Sequence, residues 1–115
     1  MRLPVALVLA AALAAGCTSG GGSKNITATV TSWTPEGANH VAVEAQFTNS
    51  GTSPATAICF FEAVDAGGSE VGDDADGPAD DIPPGQSVNI RLLIKTSVES
   101  SLVTDVRQDA AVGCS

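Results

Sequence analysis

The chain has 115 residues, with 13 acidic side chains against 5 basic ones and a formal net charge of −8. That balance repels nucleic acid and anionic lipid headgroups and makes both poor partners. The length suits one small domain, and with a single His and no Cys-x-x-Cys pair neither a zinc site nor a thioredoxin-like redox site nor any other cofactor is indicated.

Met1-Arg2 gives the N-terminus a minimal positive charge. Leu3 to Ala15 is an apolar stretch of 13 residues, the length of a signal-peptide core and too short to span a bilayer as a helix. It runs into Leu13-Ala14-Ala15-Gly16-Cys17. Small residues followed by Cys resemble the lipobox of bacterial lipoproteins, although Ala14 stands where that motif usually has Leu and Leu13 lies one place further back. The resemblance implies cleavage after the signal peptide 1–16 and lipidation of Cys17 by a diacylglyceryl group. The other reading is an ordinary secretory peptide that leaves Cys17 as a free thiol. Residues 17–23 then form the lipidated Cys and a flexible Gly/Ser linker, and 24–115 the folded domain. Losing Arg2 makes the remainder still more acidic, so the acyl chains hold the protein on the membrane without help from charge. The expected location is the cell membrane, on its extracytoplasmic face.

From Ile26 onward the chain reads as strands separated by turns. Ile26, Ala28 and Val30 alternate with Thr27, Thr29 and Thr31, and Trp33 closes the run. Thr34 to Asn39 is a turn cluster containing Pro35 and Gly37. Val41, Val43, Ala45 and Phe47 alternate with Ala42, Glu44, Gln46 and Thr48, the pattern of a half-buried strand. Asn49 to Pro54 breaks it. Ala55 to Val64 is nearly all apolar and fits a strand near the centre of the fold, covered in part on both faces. Asp65 to Gly68 turns the chain into a short strand near Glu70-Val71, and an acidic loop is expected from Asp73 to Asp81. After Pro83-Pro84-Gly85, Val88, Ile90, Leu92 and Ile94 alternate with Asn89, Arg91, Leu93 and Lys95. Leu102 to Val106 is a last strand, with a helical turn possible before it. Strands spaced this closely, with Gly/Pro turns and no long helical period, give an all-β fold, a small antiparallel sandwich.

With Cys17 acylated, Cys59 and Cys114 are left as a pair in an exported, oxidising compartment, and a Cys59–Cys114 disulfide is expected. It would close a loop of about 56 residues, a constraint of up to about 4 kcal/mol in the chain-entropy model. It would also hold a C-terminus that would otherwise fray.

Three segments carry a second resemblance: Val43 to Gly51, which ends in Asn49-Ser50-Gly51; Phe61-Glu62-Ala63-Val64-Asp65 followed by Gly67-Gly68; and Ile82-Pro83-Pro84-Gly85-Gln86-Ser87-Val88. Together they resemble the FxLYD-type immunoglobulin-like domain of bacterial envelope proteins. Phe61, Asp65 and Gly85 match its pattern, whereas Ala63 and Val64 replace its Leu and Tyr. The resemblance implies an immunoglobulin-like β-sandwich of about six to seven strands that binds or spaces other envelope components and carries no catalytic residues. Independently of it, Asp65 is placed to accept hydrogen bonds from the turn amides that follow, and Gly85 to supply a positive φ after Pro84.

Candidate chemistry is sparse. A Ser-His-Asp arrangement drawn through His40 lacks a nucleophile elbow around any Ser, which leaves His40 a surface residue. Asp73, Asp74, Asp76, Asp80 and Asp81 place 5 carboxylates in 9 residues, a donor set that suits the flexible oxygen coordination of Ca²⁺. They lack the spacing of an EF-hand loop, and a solubilising surface loop is the alternative. Trp33 reads as a core anchor, with an exposed binding aromatic as its alternative. The sequence thus points to a lipid-anchored, non-catalytic binding or accessory module of the bacterial envelope. Its partners would be the membrane, through the anchor, and another envelope protein or ligand. A cation or small-ligand binder using the acidic loop is the second reading.

Overall fold

The structure, a computed structural model, describes residues 25–115. The signal peptide 1–16, Cys17 and the linker through residue 23 lie outside the described residues. Six strands follow in order: β1 (Ile26–Glu36), β2 (His40–Asn49), β3 (Cys59–Asp65), β4 (Glu70–Asp76), β5 (Ser87–Lys95) and β6 (Val103–Gln108). A short 3-10 turn at Ser100–Leu102 leads into β6. Every pairing is antiparallel, in two three-stranded sheets ordered β1-β2-β5 and β4-β3-β6. β1 lies over β6 and β5 over β4, so the expected all-β sandwich is formed, with β2 and β3 at its centre.

The alternation that marks β2 in the sequence is the alternation of the core. Val41, Val43, Ala45 and Phe47 are fully buried, and β5 adds Leu92 and Ile94 beside them. From the opposite sheet come Cys59, Phe61 and Ala63 of β3, Val71 of β4, and Val103 and Val106 of β6. Phe47 and Phe61 meet edge to face with ring centroids 6.1 Å apart, the arrangement that ring quadrupoles favour. Ile82, on the link from β4 to β5, caps this cluster and bridges to Ala55. The apolar run Ala55–Val64 is a strand only from Cys59, because its first residues cross between the sheets and leave Ile58 exposed.

Two boundaries differ from expectation. β1 continues through Pro35 to Glu36 instead of turning at Thr34. It is an edge strand, and a proline is tolerated there where its missing N–H would face solvent. The expected acidic loop is also displaced, since Asp73, Asp74 and Asp76 belong to strand β4, which pairs with β3 from Cys59 to Val64. Asp is a poor strand former, but β4 too is an edge, and its carboxylates serve that edge as described below.

The turns behave as their residues demand. The Asp65 carboxylate accepts the Gly67 and Ser69 N–H groups, both at 3.0 Å. Gly85 has φ 76°, in the left-handed region that only glycine enters freely. Cys59 and Cys114 are joined in a disulfide across 55 residues of sequence. The tail continues alongside β3 past the end of β6, with the Ser115 N–H donating to the Ile58 carbonyl at 2.8 Å and the Ile58 N–H to the Ser115 carbonyl at 3.0 Å. The C-terminus is therefore tied down both covalently and by backbone hydrogen bonds.

Candidate functional site

The two long sides of the sandwich are unlike. On the β4/β5 side the chain closes over itself. The Ser97 N–H donates to the Val71 carbonyl at 2.8 Å, and Gly72 lies so close to β5 that a Cβ there would stand 2.5 Å from the Lys95 carbonyl oxygen. On the β1/β6 side the sheets leave a shallow, open concavity of about 400 Å³ lined by Val30, Thr31, Ser32, Trp33, Asp105 and Val106.

The concavity follows from one irregularity. Register slips between Val30 and Ser32, a bulge at Thr31, whose hydroxyl donates to the Glu44 carbonyl at 3.2 Å. A bulge bends and re-aims a strand. Here it turns Trp33 inward, so the indole packs half-buried against the core while one side lines the opening. The core-anchor reading of Trp33 is met in part, and the rest of the indole is exposed. The sequence held the signal for this bulge. Ile26, Ala28 and Val30 keep strict alternation, whereas Trp33 falls one residue out of phase. Across the opening, the Asp105 carboxylate accepts the Val106 N–H at 2.9 Å. One aromatic, one carboxylate and two hydroxyls on a wide, shallow surface suit contact with another surface better than enclosure of a substrate.

The acidic residues are not gathered as the sequence suggested. In register, Asp73 lies opposite Glu62, Asp74 opposite Phe61 and Asp76 opposite Cys59, so Asp73 faces one side of the sheet and Asp74 and Asp76 the other. Asp80 and Asp81 lie beyond the strand, on the exposed link to β5. Asp74 and Asp76 use a carboxylate oxygen on the next amide, Ala75 N–H at 2.9 Å and Gly77 N–H at 2.8 Å.

Among the described residues, the carboxylates that do converge are Glu62, Glu70 and Asp109, each with an oxygen within 4.8 Å of the others. They come from β3, β4 and the end of β6. Sequence reasoning did not find them, because cross-strand register alone brings them together. One of them is already paired, since the Arg107 guanidinium donates to Glu62 at 2.8 Å. Asp109 is engaged as well, by the Ala111 and Val112 N–H groups at 3.0 and 3.3 Å. The Glu70 carboxyl is held above its ordinary range, first by a hydrogen bond with Asp73, then by desolvation and by the negative charges of Asp73 and Glu62. Within the cluster, Arg107 neutralises Glu62 and backbone amides hold Asp109.

His40 opens β2, half-buried, opposite Glu36 of β1 and Lys95 of β5. Cys59 and Cys114 are together as expected. No helix among the described residues is long and apolar enough to cross a membrane.

No family model matches the chain, and no curated protein matches it. Among solved structures, a beta-glucuronidase from glycoside hydrolase family 2 is similar at 14% identity and a TM-score of 0.43. The similarity covers 61% of this chain and 7% of that one.

Proposed function

We propose that this chain is a non-catalytic binding or accessory module held by a lipid on Cys17 at the extracytoplasmic face of a bacterial cell membrane. Its partner is another envelope protein or a ligand carried there. The observation that carries the reading is the Cys59–Cys114 disulfide. Disulfides persist in oxidising, exported compartments, and export is what an apolar leader ending in Gly16-Cys17 would achieve. The broad concavity beside Trp33 and Asp105 supports binding over catalysis, because it gathers few groups and encloses none.

The experiment is detergent phase partitioning of wild type and Cys17→Ser expressed in a bacterium. Wild type partitions into the detergent phase. Cys17→Ser stays unlipidated and its folded domain moves to the aqueous phase, because the acyl chains are the anchor once the leader is gone. A Cys17→Ser protein that is still processed and still partitions with detergent overturns the proposal.

A further inference from the structure

Four outer strand edges bound the two sheets, those of β1, β5, β4 and β6; three of them carry charge along their length, and β1 carries it only at its last residue, Glu36. On β4 the Ala75 and Gly77 amides are taken by Asp74 and Asp76. On β6 the Val106 amide is taken by Asp105. β5 carries Arg91 and Lys95. Charges placed this way blunt an edge against pairing with another chain.

β1 is different. Its first five residues, Ile26-Thr27-Ala28-Thr29-Val30, are uncharged and rich in β-branched side chains, the composition that favours strand pairing. The features that would protect it, the bulge after Val30 and Pro35, both lie further along. The register shows which way its backbone faces. The Asn49 N–H donates to the Gln86 carbonyl and the Asn49 carbonyl accepts the Gly85 N–H, so Asn49 and every second residue of β2 address the β5 side. Thr48 and Gln46 then address β1, opposite Thr27 and Thr29. By the alternation of antiparallel strands, the N–H and C=O groups of Ile26, Ala28 and Val30 point outward. No strand among the described residues pairs with them.

We propose that this edge pairs with the same edge of a second copy of the chain, antiparallel about a two-fold axis at Ala28. The segment is self-complementary in the way a two-fold interface requires. Ile26 of one copy opposes Val30 of the other, Thr27 opposes Thr29, and Ala28 opposes Ala28. Apolar pairs lie on the core side and Thr–Thr pairs on the solvent side, both favourable across strands. Charge also selects this place. Two copies that each carry a formal net charge of −8 meet with least repulsion where the facing segments are uncharged, as Ile26 to Val30 is. A ladder of five residues per copy buries less than a stable interface needs, so the dimer is weak and exchanging, and salt strengthens it by screening the rest of the surface. This surface does not depend on the anchor at Cys17.

The full-length protein in its own membrane fraction carries the test. Thr27 and Thr29 are exposed, and in the proposed register a thiol at one position faces a thiol at the other across the axis. Co-expressed Thr27→Cys and Thr29→Cys chains form a disulfide-linked dimer under mild oxidation, while either variant alone gives far less. Adding Ala28→Pro to both, at an amide that faces outward, abolishes the cross-link. Because a proline variant can fail to fold, charge provides a second arm that uses exposed positions only. In sedimentation of the detergent-solubilised full chain, Thr27→Glu with Thr29→Glu sets like charges against each other and leaves only monomer. Thr27→Lys with Thr29→Glu sets opposite charges together and gives more dimer than wild type. Absence of a cross-link in the mixture, equal cross-linking by the single variants, a cross-link that survives Ala28→Pro, or indifference to the charge swap overturns the proposal.

Discussion

Asn49 shows how much one side chain sets. It is fully buried. Its amide donates to the Ser53 and Ile82 carbonyls, both at 2.8 Å, and its Oδ1 accepts the Gly51 N–H at 2.8 Å. It thereby ties the end of β2 to the following loop and to the link between β4 and β5. Asn49→Ala removes every one of these partners at once, and leaving buried groups unpaired costs about 2–3 kcal/mol. Urea unfolding reads this directly, and an unchanged midpoint would contradict it. Glu70 makes the opposite contribution. Its carboxyl is raised above the ordinary value by Asp73, desolvation and Glu62. The folded chain therefore binds more protons than the unfolded one between the ordinary and the raised pKa, and stability falls as pH climbs through that window. Below the ordinary value the penalty is absent. Glu70→Gln is expected to raise the melting temperature at neutral pH and to flatten the decline between acid and neutral pH. Parallel melting curves for the two proteins across that range would sink the assignment.

At the scale of elements, β4 is where reading the residues and forming the strand part company. Acidic residues between glycines read as a loop, because Asp and Gly are both poor strand formers. β4 forms because it is an edge: the side chains of Asp74 and Asp76 satisfy amides that have no strand beside them. Replacing Asp73, Asp74 and Asp76 by Asn keeps a side-chain acceptor at each position and should change stability by no more than about 0.5 kcal/mol. No calcium-dependent rise in melting temperature is expected, since Asp73 faces away from Asp74 and Asp76 and the last two each accept a backbone amide. A saturable rise in wild type that the triple variant loses would restore the cation reading. Asp74→Val with Asp76→Val removes charge and acceptor together and should make the protein aggregate on concentration, as light scattering would show. β2 and β5 were legible because each keeps strict alternation with one face on the core. The end of β1 was not, because Pro35 reads as a turn until its strand is known to be an edge.

In the whole molecule, the sandwich and the cysteine pairing were legible, and the concavity and the Glu62–Glu70–Asp109 cluster were not. Strand periodicity is local, and so is the count of cysteines. The cluster depends on register between strands far apart in sequence, and the concavity on a bulge opposite another sheet. The disulfide is a covalent tie spanning 55 residues. In the chain-entropy model its loss costs up to about 4 kcal/mol, a large share of the roughly 5–15 kcal/mol that holds a domain folded. Melting with and without reductant should show a marked drop. The most direct test of an exported, lipid-anchored module is the intact mass of the protein extracted from its membrane. A chain that begins at an acylated Cys17 and is lighter than its reduced form by the two hydrogens of the Cys59–Cys114 bond is the expected result. An unacylated chain, or one whose Cys59 and Cys114 thiols are both free, would contradict it.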